Sequence, residues 1–225
     1  QPMYKPEQFG LPADARVLVS NDGGVVGRTA RARLLTRNFD RIWKDKMHAI
    51  LMEAAYQFNR RPGLHLEGIV GLHPDFMVKA HLISPETDAK NMLDWGINFL
   101  PFMPPWSGIY EKSRKLEGEP DILIFADPEW SHPEFPSGCV IIDEFNNTIA
   151  ILGLRYFGER KKGTLTIAWT IGVRHNMVAC HGGIKKVGSN RPVAVFGLSG
   201  SGKSAITNSL DHDGTLRPEE KVTVI

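Results

Sequence analysis

The sequence predicts an α/β fold in two parts: a mixed-sheet domain over residues 1–190, and the opening of a second domain over 191–225. Three observations predict it. Short runs rich in β-branched residues recur at 122–126, 139–142 and 148–154, each bounded by turn residues. Between Asp40 and Arg60 the apolar residues Ile42, Met47, Ile50, Leu51, Ala54 and Phe58 follow a helical period. Near the end, the apolar run Pro192 to Phe196 leads into Gly197-Leu-Ser-Gly-Ser-Gly-Lys-Ser204, and then into the helix-compatible stretch Ala205 to Leu210.

The elements follow in order. Arg16 to Ser20 reads as a strand, and Asn21-Asp-Gly-Gly24 as a turn. Val25 to Thr36 is basic, with Arg28, Arg31 and Arg33, and Arg37 follows it. The helix over 40–60 stops at Arg61-Pro-Gly63, because proline and glycine end a helix. Leu64 to Val70 and Phe76 to Ile83 read as strands around the turn His73-Pro-Asp75. Glu86 to Leu100 reads as a helix. Pro101 to Gly108 carries three prolines and is expected as loop. Leu165 to Trp169 and Met177 to Cys180 continue the strand-like pattern, and Lys221 to Ile225 reads as a strand beginning.

Residues 197–204 fit the phosphate-binding loop pattern G-x-x-x-x-G-K-[ST] between a strand and a helix. Each residue type has a chemical reason. Gly197, Gly200 and Gly202 let backbone N–H groups converge on phosphate oxygens. Leu198, Ser199 and Ser201 complete the loop backbone. Lys203 can reach the outer phosphates of ATP, Ser204 can ligate Mg²⁺, and the helix N-terminus favours negative charge. The second domain is therefore read as the start of a phosphate-loop nucleotide-binding domain. About 20 residues follow the loop, too few to wall off a nucleotide site, so the chain is expected to be part of a longer polypeptide and catalytically incomplete alone.

Composition narrows the partners. The chain has 225 residues, 42% hydrophobic and 23% charged, with a net charge of +2. That gives no electrostatic case for nucleic acid. No apolar run reaches the roughly 18 residues of a transmembrane helix, so no membrane partner is expected. Gln1-Pro-Met-Tyr-Lys is not followed by an apolar segment of signal-peptide type. Cys139 and Cys180 are too few for a disulfide framework and suggest a reducing, cytoplasmic compartment.

A second segment, Tyr156-Phe-Gly-Glu-Arg-Lys-Lys-Gly163, sets two lysines beside a glutamate and between glycines. Exposed lysines on a turn are one reading of it. His181 follows 19 residues after Lys162, in Val-Ala-Cys-His-Gly-Gly183, and the phosphate loop begins 16 residues later. This ordered set resembles the ATP-dependent phosphoenolpyruvate carboxykinase family, with its Y-x-G-E-x-K-K-G, M-H-C-S-A-N and G-L-S-G-T-G-K-T-T segments. Gly27-Arg28-Thr29 resembles the family's T-G-R-S-P-K-D-K segment.

The resemblance implies an N-terminal carboxykinase domain leading into the nucleotide domain. It implies that Lys203 and Ser204 hold ATP phosphates and Mg²⁺. Lys162, as a neutral amine, and His181 would ligate a second divalent ion, usually Mn²⁺. Lys161 would lie beside the transferring phosphoryl, and Arg28 and Tyr156 would hold oxaloacetate or phosphoenolpyruvate. The acidic pair that completes the metal site in the family would lie beyond Ile225. Three segments depart from the pattern: Thr29-Ala-Arg-Ala-Arg33, His181-Gly-Gly-Ile-Lys185, and Ser204-Ala205 in place of two threonines. Ser204 keeps the hydroxyl. The first two departures concern the substrate pocket, so a phosphate-loop kinase with another acceptor and a nucleotide-binding regulator stand as alternatives.

Other features read as structural. Val140-Ile-Ile-Asp-Glu144 looks like an acidic strand of ATPases but precedes the phosphate loop instead of following it. His65, His73 and His81 fall on different predicted segments and are expected as polar or half-buried histidines rather than a metal site. Trp43, Trp95, Trp106 and Trp130 are expected as core or loop anchors.

Overall fold

The computed structural model describes residues 33–113, 116, 118–188, 191–197, 200–208 and 222–224. The expected strand at 16–20, Arg28, Leu198 and Ser199 lie outside these. The chain divides into two compact units, Gln1–Asn176 and Met177–Ile225, so residues 177–190 group with the second unit, whereas the sequence reading drew the division at 190.

In the first unit, seven strands form one mixed sheet: β1 (Arg33–Leu35), β2 (Gly63–His73), β3 (Phe76–Pro85), β4 (Leu100–Pro101), β5 (Ile122–Asp127), β6 (Cys139–Asp143) and β7 (Thr148–Leu152). Their order is β1-β6-β7-β5-β3-β2-β4. The pairs β1–β6, β7–β5 and β5–β3 are parallel, and the others antiparallel. The β-branched runs read from sequence are thus the interior strands β5, β6 and β7, buried along most of both faces.

Helices cover both faces. α1 (Arg41–Phe58) is capped by Asp40, whose carboxylate accepts from the Trp43 N–H at 2.8 Å. It buries Met47, Ile50 and Ala54 against Ile141, Ala150 and Leu152. Arg61, just past its end, pairs with the fully buried Asp127 at the end of β5. On the opposite face, α2 (Ala89–Asn98) and α4 (Phe157–Arg174) pack Met92, Trp95, Ile167 and Ile171 onto Leu82, Ile122, Ile124 and Ile151. The Trp95 indole N–H donates to Thr164 Oγ1 at 3.0 Å, so the largest core side chain is also satisfied as a donor. α3 (Trp106–Lys112) covers Ile69, Met77 and Leu100 on the α1 side of the sheet.

Four sequence expectations are corrected. In the proline-rich stretch 101–108, Pro101 ends β4, 102–105 are loop and Trp106 opens α3, because proline is excluded from a helix interior but not from its entry. Residues 165–169 are not a strand and 156–163 is not a turn; 157–163 and 165–169 belong to α4, with Tyr156 as its N-cap. The alternation of Leu165, Ile167 and Trp169 suggested a strand, but the buried set Gly163, Thr164, Ile167, Ala168, Ile171 and Gly172 has helical spacing. The hydroxyls of Thr164, Thr166 and Thr170 each donate to the carbonyl four residues back, which accommodates these β-branched residues in the helix. Residues 177–180 form no strand; pairing starts at Gly182.

The second unit has an antiparallel sheet of order β10-β8-β9, from β8 (Gly182–Val187), β9 (Arg191–Phe196) and β10 (Val222–Val224), with α5 (Lys203–Asn208). No described helix is long and apolar enough to cross a membrane.

At the C-terminal end of α4, Arg174 grips Glu119 through two contacts, Nε to Oε1 at 2.8 Å and Nη2 to Oε2 at 2.6 Å. Arg174 also donates to Asn147 Oδ1 and to the Glu144 carbonyl, so one guanidinium ties the helix end to the turn between β6 and β7. The Arg174 contact, with help from Asn147 and His175, holds the Glu119 carboxyl down to about 2 from an ordinary 4.5. A depressed carboxyl stabilises the fold above its unfolded value, and this contribution is lost as pH falls from about 4.5 toward 2, with an upper bound of about 3 kcal/mol. Glu119→Gln is expected to lower the urea midpoint at pH 7 and to flatten its decline between pH 4.5 and 2. An unchanged midpoint at pH 7 would show that this cluster contributes nothing.

Candidate active site

In the first unit the candidate residues lie at the N-terminal end of α4. Arg160 points inward and is fully buried. Its Nη2 donates to Asp88 Oδ2 at 2.5 Å, and Nη1 leans toward the Leu154 and Tyr156 carbonyls at 3.4 and 3.5 Å. Burial pulls the guanidinium below its ordinary range, and the Asp88 charge opposes that pull. Asp88 is itself saturated: Ser84 Oγ and Asn91 Nδ2 each donate to it at 2.8 Å. One buried carboxylate thereby joins the end of β3, the start of α2 and the start of α4. Removing either partner of such a pair costs about 3–5 kcal/mol.

With Arg160 fixed inward, the next two residues turn outward along the helix. Lys161 is half-buried and Lys162 exposed. The Lys162 ammonium lies 5.7 Å from the centre of the Tyr156 ring, within cation–π reach. Lys161 acts on Asp94, whose carboxyl burial raises and whose rise the lysine charge partly offsets. The two glycines of the segment have separate reasons. A Cβ at Gly158 would stand 2.5 Å from the Tyr156 ring, so glycine lets the tyrosine fold across the helix start. A Cβ at Gly163 would stand 2.8 Å from Ile149 Cδ1, where α4 packs on β7.

In the second unit the candidate residues are His181 and the segment 197–204 with its phosphate-loop pattern. Gly200 and Gly202 have φ of +80° and +82°, the left-handed region that favours glycine. Gly197 is needed for space, since a Cβ there would meet Ser201 Oγ at 2.5 Å. Lys203 and Ser204 open α5, with Ser204 exposed. The register pairs Gly182 with Phe196, so exposed His181 precedes β8 beside the residue where the loop begins. Gly183 admits α5: a Cβ there would stand 2.2 Å from Thr207 Oγ1. The Gly-Gly that departs from the carboxykinase pattern after His181 thus has a packing reason.

Tyr156, Lys161 and Lys162 are brought together at the N-terminal end of α4, over its cap and first two turns, and His181 with Gly197, Gly200, Ser201, Gly202, Lys203 and Ser204 in the other unit. Sequence reasoning missed Arg160, Asp88 and Ser84; an arginine inside an otherwise exposed lysine segment was the available signal. Asp143, the decoy, accepts from the Phe145 and Asn146 N–H groups and closes the turn between β6 and β7.

A phosphate-loop signature behind a mixed α/β unit defines the class of this protein. The sequence profile of phosphoenolpyruvate carboxykinase, in its ATP-dependent form, matches residues 37–221, and the chain belongs to that family. It is 23% identical over 215 residues to the phosphoenolpyruvate carboxykinase (ATP) of Dictyostelium discoideum, covering 87% of this chain and 37% of that protein. It is 23% identical over 222 residues to that of Kluyveromyces lactis, covering 87% and 38%. A glycosomal relative from Trypanosoma cruzi is 35% identical over 96 residues, 40% of this chain and 20% of the relative. The chain thus spans less than two fifths of these relatives.

The two cysteines report on this geometry. Cys180 is exposed beside His181, whereas Cys139 is buried in β6 and its thiol is pushed up to about 12 by burial. One equivalent of thiol is expected to react with Ellman's reagent in the native chain, and two in denaturant. Two fast equivalents under native conditions would contradict the packing of β6.

Proposed function

We propose that this chain supplies the substrate side and phosphate loop of an ATP-dependent carboxykinase, which converts oxaloacetate and ATP to phosphoenolpyruvate, ADP and CO₂. One observation carries the reading: Lys161, Lys162, His181 and Lys203 all fall inside the matched stretch, in the order and spacing of the carboxykinase motifs.

The proposed roles follow from residue chemistry. The loop glycines and Lys203 bind and orient the ATP phosphates. The exposed Ser204 hydroxyl suits Mg²⁺ bound together with phosphate oxygens. The His181 imidazole and the Lys162 amine offer nitrogen donors for a second ion, Mn²⁺. Such ions neutralise charge on the phosphates and on the substrate oxygens. Arg28 and Tyr156 hold the dicarboxylate. The C–C bond to the leaving carboxylate breaks and releases CO₂; its electron pair forms the enolate of pyruvate. The enolate oxygen then takes the γ-phosphoryl, and ADP leaves. Lys161, half-buried on α4, offsets negative charge at the transferring group. Carboxylates that complete the metal site would come from the polypeptide beyond Ile225. The proposed setting is cytoplasmic, without nucleic-acid or membrane partners.

A second reading is a phosphate-loop kinase with a different acceptor, favoured by the altered segment at residues 29–33. The whole protein decides between them. Oxaloacetate-dependent ATP consumption with Mn²⁺ present is expected; ATP consumption that ignores oxaloacetate and follows another acceptor would support the kinase. Lys203→Ala should weaken nucleotide binding by about 1.5–3 kcal/mol, the worth of a charge-assisted contact. His181→Gln should lower Mn²⁺ affinity and leave nucleotide binding in place. Equal nucleotide affinity of Lys203→Ala and wild type in calorimetry would overturn the loop assignment.

A further inference from the structure

A cluster of metal-ligating side chains lies outside the carboxykinase motifs, on the α3 side of the sheet. His65 and Glu67 alternate along β2 on the same face as Ile69, and Lys79 and His81 along β3 on the same face as Met77. The register sets Glu67 directly opposite His81 and leaves His65 on the diagonal. The two imidazoles stack with centroids 5.1 Å apart, and His65 Nε2 stands 2.9 Å from His81 Nδ1. Glu67 Oε1 is 3.5 Å from the same His81 Nδ1. One ligand atom from each of the three lies within 4.8 Å of the others, the one such group among the described residues. The sequence reading placed these histidines on separate segments; the hairpin of β2 and β3 joins two of them and leaves His73 with Asp75.

The other His81 nitrogen gives the cluster its direction. Nε2 is 3.0 Å from Asp121 Oδ2. A carboxylate accepts only from a nitrogen that carries hydrogen, so Asp121 selects the Nε2–H tautomer and leaves the Nδ1 lone pair facing His65 and Glu67. This is the carboxylate–histidine arrangement that orients metal-ligating imidazoles. Two nitrogens bound at about 2.05 Å to a tetrahedral zinc ion stand about 3.3 Å apart. The two rings therefore need to part only slightly to admit one.

We propose that His65 Nε2, Glu67 Oε1 and His81 Nδ1 form a zinc site on the exposed face of β2 and β3, with Asp121 orienting His81. Two imidazoles and one carboxylate are a donor set that suits Zn²⁺, with a fourth position left to water. Lys79 is the competitor. Its ammonium is 2.6 Å from Glu67 Oε1 and holds the place of a cation there. The same ammonium lies 4.1 Å from the Phe102 ring centre, so it keeps a favourable contact when zinc takes the carboxylate. The site is independent of the carboxykinase reading.

Zinc binding to the 225-residue chain tests this, in a reference variant carrying Cys180→Ser and His181→Asn so that the other unit offers no thiol–imidazole pair. Competition against a chromophoric chelator is expected to give one equivalent of Zn²⁺. Asp121→Asn should weaken binding about 10–100-fold, the usual effect of losing an orienting carboxylate. His65→Ala and His81→Asn should weaken it further, and Lys79→Met should tighten it. His65 is exposed, so His65→Ala decides the matter even if His81→Asn disturbs the fold; circular dichroism checks both. Zinc affinity and stoichiometry unchanged in His65→Ala would overturn the proposal.

Discussion

The buried pair of Arg160 and Asp88 organises the first unit around the lysine segment. Its charges lie between the sheet and two helices, where an unpaired ion is very costly. Asp88 therefore needs Ser84, Asn91 and Arg160 together, and Arg160 needs Asp88. Satisfying that network fixes the rotation of α4 about its axis. Arg160 faces in, Lys161 and Lys162 face out, and Tyr156 lies across Gly158. The chemistry proposed for the lysines is thus oriented by a residue buried beneath them.

Close approach is the second constraint. Gly163 lets α4 settle on Ile149, and Gly183 lets α5 settle against β8. Each glycine sets a helix that carries proposed ligands at short range from its sheet. In the second unit the same residue type does different work at Gly200 and Gly202, where backbone conformation, not space, is the requirement.

Much of the fold was legible in the sequence because its signals were local. The helix over Arg41–Phe58 carried its apolar stripe and its Pro-Gly stop, and the central strands carried β-branched runs. The phosphate-loop pattern is a local motif, and left-handed backbone at Gly200 and Gly202 accounts for two of its glycines. α4 was misread because Leu165, Ile167 and Trp169 alternate, while the buried stripe beneath them is made partly of glycine, threonine and alanine, which carry little hydrophobic signal. The Arg160–Asp88 pair spans 72 residues and left no local trace. The meeting of His65 with His81 likewise depends on the strand register, which becomes visible only when β2 and β3 are paired.

The most direct test is a double-mutant cycle on the buried pair, using Arg160→Met, Asp88→Leu and the combination, read by urea unfolding at pH 7. Each single change leaves an uncompensated buried charge and is expected to cost about 3–5 kcal/mol. The double variant should cost markedly less than the sum, because neither charge then remains unpaired. Strictly additive losses, or single variants as stable as wild type, would mean that the pair does not hold α4 in place.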